Sequence, residues 1–287
     1  MKLIKVEEIN IQIEDKITLS GRAYWPGEND IPDKKQPFLI LCHGLPPATV
    51  PQPETIAETP EEEDGGYAAL ARQCTTTLGI PSFHFNFRGA GESGGDFDLL
   101  GWSRDLIAFM DYWEQKRGAG QGFTLWGFSA GGAVSAFVAA ADPRVKNLIM
   151  AASPVNFKEI FLKENLSELI LRFRTTGIIK APGFPPDPRQ WLNNIHTVDP
   201  LSHLARFAPR PLLLIHGSGD ELIPLNHVFR LYEAAGPGKE LIILPGARHQ
   251  LRKEKKAVEN CLRWLEKITD PRYSLTHTQP PGAPEFS

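Results

Sequence analysis

Cysteine is scarce: Cys42, Cys74 and Cys261 are the only three in 287 residues. An odd, widely spaced set with no C-x-x-C pair excludes a disulfide scaffold. There is no H-E-x-x-H and no Cys/His ligand spacing, so neither a metal nor a cofactor is expected. The phosphate loop G-x-x-x-x-G-K-[ST] and the dinucleotide fingerprint are missing too. No charge dominates: 31 Lys and Arg stand against 34 Asp and Glu, for a net −3. That balance gives no electrostatic reason to expect nucleic acid or an anionic membrane as partner. The longest apolar stretch, Ala130 to Ala141, falls short of the roughly 18 residues a membrane helix needs. Charge also interrupts the first residues, Met1 to Glu8, before a signal-type apolar region can form. These absences lead us to expect a cytoplasmic globular protein.

What is there is a repeated pattern. Phe38-Leu39-Ile40-Leu41-Cys42 is an unbroken apolar run followed by His43-Gly44. Similar runs recur at Ile80 to Phe87, Phe123 to Trp126, Val145 to Ala152, Leu212 to Ile215 and Leu241 to Leu244. Short apolar runs ending in Gly suit central strands of a parallel sheet, because both faces are covered. Residues 3–13 and 16–24 alternate, which suggests two early strands around a turn at Glu14-Asp15. Helical patterns fill the intervals: Gly66 to Leu78, Leu99 to Arg117, Ala130 to Ala141, Asn226 to Ala235 and Lys253 to Ile268. Strand and helix in regular alternation argue for an α/β fold with a mainly parallel sheet.

Two segments break the rhythm. Leu45 to Gly65 is rich in Pro and acid, and reads either as a solvated surface loop or as a gate over a ligand site. Ser153 to Arg210 reads as an inserted helical cap. Phe157, Ile160, Phe161, Leu166, Leu169, Ile170 and Phe173 fall at three- and four-residue steps, one apolar face of a helix, or of two short ones. The run Ala181 to Pro188 reads as punctuation. Residues 1–152 and 211–270 are then the core, 153–210 the cap and 271–287 a frayed tail.

Gly127-Phe128-Ser129-Ala130-Gly131 is a G-x-S-x-G pentapeptide, weak alone and strengthened by its setting between a strand and a small-residue helix. There the turn would strain the Ser129 backbone and expose its hydroxyl. The plain alternative is a Gly-rich turn with an incidental serine. A serine hydroxyl needs a base, and the base an orienting carboxylate. Asp220 and His249 each fall just past a later strand, in the order Ser129, Asp220, His249. The neighbouring Glu221 would point elsewhere in an extended or turn segment. His84 alternates with Phe83 and Phe85, and His196 and His203 lie in the cap; packing or exposure accounts for each. Arg172, Arg174 and Lys180 read as a solvated basic face, with an anchor for an acidic substrate as the alternative.

These motifs, with His43-Gly44 after a strand and Phe87-Arg88-Gly89-Ala90-Gly91-Glu92-Ser93-Gly94-Gly95, resemble the α/β-hydrolases of the esterase and serine-aminopeptidase-like group. Asn86 stands where that group often has Asp. The resemblance spans about residues 15–268 and implies an α/β-hydrolase fold, with Ser129 as nucleophile, Asp220 as acid and His249 as base. It further implies an oxyanion hole from the backbone N–H groups of Leu45 and Ala130. His43 is expected to hold that loop by hydrogen bonds rather than transfer protons. The leading expectation is a carboxylesterase-type serine hydrolase acting on a small-molecule ester, with Phe157, Phe161 and Phe173 lining an acyl pocket. An aminopeptidase or acyl-peptide hydrolase using the same triad, and a hydrolase scaffold kept for binding alone, stay open.

Overall fold

The computed structural model describes residues 3–13, 16–27, 37–46, 66–117 and 122–269. The expected turn at Glu14-Asp15, nearly all of the 45–65 loop and the tail 271–287 lie outside these residues. Among those described, eight strands form one sheet in the order β1-β2-β4-β3-β5-β6-β7-β8. They are β1 (Ile4–Gln12), β2 (Thr18–Pro26), β3 (Phe38–Cys42), β4 (Ser82–Phe85), β5 (Phe123–Phe128), β6 (Val145–Ala151), β7 (Leu212–Gly217) and β8 (Lys239–Leu244). β2 is antiparallel to β1 and to β4, and every other pairing is parallel. This is the α/β-hydrolase fold.

The unbroken apolar strands follow from cover on both faces. All residues of β3, β5 and β7 are buried. Ile40, Cys42, Leu125 and Leu214 face one core; Leu39, Leu41, Trp126 and Leu213 face the other. The first core is an aromatic wall, with Phe85 stacked on Phe109 at 4.3 Å and Phe87 on Trp102 at 4.7 Å. Fully burying side chains of this size stabilises by about 1.5–3 kcal/mol each. β1 lies at the sheet's edge and is mostly exposed. β4 is shorter than the run Ile80 to Phe87, because Asn86 and Phe87 leave the ladder and donate their N–H groups to Ser20 O and His43 Nε2.

The helices between strands are α1 (Tyr67–Leu78), α2 (Leu99–Arg117), α3 (Ala130–Ala141) and α8 (Asn226–Ala234), and α9 (Lys255–Thr269) follows β8. α9 starts at Lys255 because Leu251–Lys253 forms a separate 3-10 turn. The β6–β7 connection carries four more: α4 (Phe157–Ile160), α5 (Leu166–Thr175), α6 (Pro188–Thr197) and α7 (Pro200–His203). α5 opens with a capping box, Asn165 and Glu168 exchanging side-chain and backbone bonds. Asp187 caps α6 and Asp199 caps α7, each followed by Pro in the first turn. Among the described residues no helix is long and apolar enough to cross a membrane.

After β3 the chain crosses to β4 on one side and returns to β5 on the other. That reversal places the loops following β3 and β5 side by side at the carboxyl ends of the strands, where open α/β sheets bind ligands.

Candidate active site

Ser129 sits at the turn from β5 into α3, with φ 52° and ψ −121°. A non-glycine residue at positive φ costs of order 1–3 kcal/mol and persists only where its surroundings hold it. Its N–H is held by Ala151 O at 2.8 Å. The glycines around it are required by contact. A Cβ at Gly131 would collide with the carbonyl oxygens of Cys42 and His43, and one at Gly127 with the Gly132 backbone. Gly44, from the loop after β3, matters in a different way. A Cβ there would lie 2.9 Å from Ser129 Cβ and 3.6 Å from Ser129 Oγ. Glycine at 44 therefore leaves room beside the hydroxyl, a consequence of the His43-Gly44 pair that the sequence did not reveal.

His43 is fixed in one tautomer. Phe87 N–H donates to Nε2 at 3.0 Å, so the ring hydrogen is on Nδ1, which donates to Gly44 O at 2.8 Å. Burial pulls its pKa down to about 4, against the opposing effect of that Gly44 bond. The ring packs against both Phe87 and Trp102, at 5.0 and 5.1 Å. A neutral ring with both nitrogens bonded to backbone holds the loop. Among the described residues, the N–H groups of Leu45 and Ala130 carry no hydrogen bond, and Ala130 is the first residue of α3, where the helix leaves its amides free.

Asp220 follows β7 and His249 follows β8. Gly219 N–H donates to Ala247 O at 3.0 Å, which folds the β8 loop back over the tip of β7. His249 Nδ1 then lies 2.8 Å from Asp220 Oδ2 and 3.1 Å from Oδ1. Leu222 and Ile223 N–H groups both donate to Oδ1 at 2.9 Å. Burial alone would raise the Asp220 pKa; the His249 bond and these backbone donors outweigh it and leave it lowered. The result is a buried carboxylate, its side chain 1% exposed, that accepts from every partner. Glu221 is turned away, half-exposed and 4.0 Å from Arg248. Among the described residues no hydrogen bond joins Ser129 Oγ to His249; such contacts are commonly long until substrate binds. The three cysteines are no rival nucleophiles, since burial raises all three thiols, Cys42 to about 12.

The Arg88–Asp105 ion pair braces the segment opposite. Arg88 Nε and Nη2 donate to Asp105 Oδ1 at 2.9 and 2.7 Å, and Arg88 N–H to Oδ2 at 2.8 Å. On this segment the β6–β7 connection docks, with Trp191 Nε1 donating to Phe97 O and Asn194 Nδ2 to Asp98 Oδ2. Phe157, Phe161 and Phe173 are buried within it, Phe173 packing 4.5 Å from Phe97. The basic trio is exposed at Lys180 and half-buried at Arg172 and Arg174, and each side chain has a partner within the fold. Arg172 pairs with Glu164 at 2.6 Å, Arg174 donates to the carbonyls of Ala181, Pro182 and Phe184, and Lys180 Nζ to those of Gly91 and Ser93. Arg172 is thus held by a carboxylate, and Arg174 and Lys180 by backbone carbonyls.

The prolyl oligopeptidase family model matches residues 69–271, well over half of the chain. The chain belongs to the prolyl oligopeptidase family. The family match begins within α1, so the strands β1 to β3 and Leu45 precede it. Among curated proteins the chain is 26% identical over 170 residues to the uncharacterized protein YfhR of Escherichia coli O157:H7, covering 58% of this chain and 52% of that one. It is 27% identical over 177 residues to human Protein ABHD12B, covering 58% and 46%. The aligned stretches thus span about half the length of these relatives. Similar solved structures include DcsB in complex with its substrate analogue (TM-score 0.66, 19% identity, covering 91% of this chain and 98% of that one). Est1E from Butyrivibrio proteoclasticus with bound ferulic acid is another (TM-score 0.64, 19%, 91% and 97%), as is mouse Alpha/beta hydrolase domain-containing protein 10 (TM-score 0.64, 17%, 92% and 98%). At these identities the likeness establishes the fold. Family and fold together place the chain among the α/β-hydrolase-fold proteins.

Proposed function

We propose that this hydrolase cleaves carboxylic esters through an acyl-enzyme on Ser129. The observation that carries the reading is the Asp220–His249 bond at the same sheet end as a serine held at positive φ. In this mechanism Asp220 keeps the His249 hydrogen on Nδ1, leaving Nε2 bare to take the Ser129 proton. Ser129 Oγ attacks the ester carbonyl in the space kept open by Gly44. The developing oxyanion is met by the N–H groups of Leu45 and Ala130. His249 then protonates the departing alcohol, and water, activated by the same ring, releases the acid.

The β6–β7 connection, residues 153–210, serves as a cap over the core formed by 1–152 and 211–270. Phe157, Phe161 and Phe173 act mainly from behind the acyl pocket, setting its wall through packing. Two considerations support an ester over an amide. The similar structures include the ferulic-acid complex of Est1E and an esterase from Pyrococcus furiosus. The buried carboxylates Asp105 and Asp220 are committed to Arg88 and His249, so neither offers itself to a peptide amine. The family match favours a second reading, cleavage of aminoacyl or peptide amides. Comparing kcat/KM on p-nitrophenyl butyrate with that on an aminoacyl p-nitroanilide decides between them. Faster turnover of the anilide would overturn the ester assignment.

A further inference from the structure

His216 is the penultimate residue of β7, four residues before Asp220, and its side chain is wholly buried. It has no part in the chemistry above. The turn after β7 brings Ile223 back to its ring, with Nε2 2.9 Å from Ile223 O. A carbonyl only accepts, so Nε2 carries the hydrogen. The same nitrogen lies 3.4 Å from Asp220 Oδ2, the oxygen that faces His249. One N–H therefore braces the far end of the acid's turn and sits beside the carboxylate itself.

His216 Nδ1 is buried and has no hydrogen-bond partner among the described residues. An apolar side chain of similar volume would fill the site without that cost, so the imidazole is explained by its Nε2–H. Burial keeps the ring below its ordinary pKa despite the pull of Asp220, and a neutral ring does not compete with His249 for the carboxylate. His227 of α8 stands on the same side, its Nδ1 accepting the Val155 N–H at 3.2 Å.

We infer that His216 is a positioning residue for the acid: its Nε2–H pins the Ile223 carbonyl and so fixes the 217–223 turn that aims Asp220 at His249. The inference rests on the proposed triad.

The test compares His216→Leu, which removes the donor, with His216→Gln, whose amide N–H reaches the place of Nε2. With p-nitrophenyl butyrate, the Leu variant should lose about 10²-fold in kcat, the effect of a small misplacement of a catalytic group, with KM little changed. The Gln variant should recover most of the loss. The second readout is the downfield proton signal of His249 Nδ1–H, identified by its absence in His249→Gln. It should weaken in His216→Leu and return in His216→Gln. This signal needs no turnover, so a wild type that shows it but cleaves no ester leaves the positioning role decidable while the hydrolase reading fails. Unchanged kcat and an unmoved signal in a folded His216→Leu would overturn the inference. So would equal losses in both variants, which would mean that the ring's packing, not its N–H, is what counts.

Discussion

Replacing Asp220 by Asn exchanges one oxygen for an NH2 group and leaves the side chain's shape alone. Oδ1 accepts from the Leu222 and Ile223 N–H groups, so the amide must keep its own oxygen there. The NH2 then falls where Oδ2 was, 2.8 Å from His249 Nδ1 and 3.4 Å from His216 Nε2, and donor meets donor. His249 escapes by moving its hydrogen to Nε2, where the ring can no longer take the Ser129 proton. The same exchange in the Ser-His-Asp triad of serine proteases costs about 10⁴-fold in kcat. At about 1.4 kcal/mol per tenfold, the barrier rises by about 5 kcal/mol. Folding loses only a charge-assisted hydrogen bond, about 1.5–3 kcal/mol. The assay is kcat on p-nitrophenyl butyrate, with thermal unfolding to show that the variant is folded. Glu221→Gln is the control; its half-exposed side chain predicts a surface-type stability change within about 0.5 kcal/mol and an unchanged rate. A folded Asp220→Asn that keeps more than about a tenth of wild-type kcat would show that Asp220 is not the acid, as would inactivation by Glu221→Gln.

Other outcomes follow from the same geometry. Gly131→Ala drives a methyl into the Cys42 and His43 carbonyls, and should cost at least about 1–3 kcal/mol and abolish Ser129 reactivity; a stable, reactive variant would show that the elbow tolerates side chains. Asp105→Asn breaks a buried ion pair and should lower stability by about 3–5 kcal/mol in urea unfolding; a loss under about 1 kcal/mol would mean that Arg88 is held by other means. His84 is buried with a pKa lowered to about 4 by burial, below an unfolded value of about 6.5. As pH falls through that window the unfolded chain binds a proton that the folded one refuses, so stability drops by about 3 kcal/mol and levels off below pH 4. His84→Gln should remove that contribution from the pH dependence of unfolding, and an unchanged slope would sink it. Alanine at Phe157, Phe161 and Phe173 should shift acyl-chain preference while Ser129 stays reactive; an unmoved preference places the pocket elsewhere.

Much of the sheet was legible because β3, β5 and β7 are short, largely apolar runs, and each ends in or near glycine. The meeting of Asp220 and His249 could be anticipated from strand order, since parallel strands all deliver their following loops to one edge. The β6–β7 connection was harder. Its prolines read as breaks, yet Asp187-Pro188 and Asp199-Pro200 start helices, because proline's fixed φ suits a first helical turn. The acceptors of Arg174 and Lys180 are backbone carbonyls of turns, which side-chain types do not reveal. His216 stayed hidden for a related reason. Its partner is the carbonyl of Ile223, and only the fold of the turn brings that oxygen within 2.9 Å.

The claim that Ser129 carries the nucleophile is decided by intact-mass spectrometry after reaction with a fluorophosphonate probe. Wild type should gain one adduct, mapped to the peptide carrying Ser129, at a rate that falls in His249→Gln and Asp220→Asn. Ser129→Ala should gain none. An adduct that persists in folded Ser129→Ala, or a folded wild type that takes up no probe, would contradict the claim.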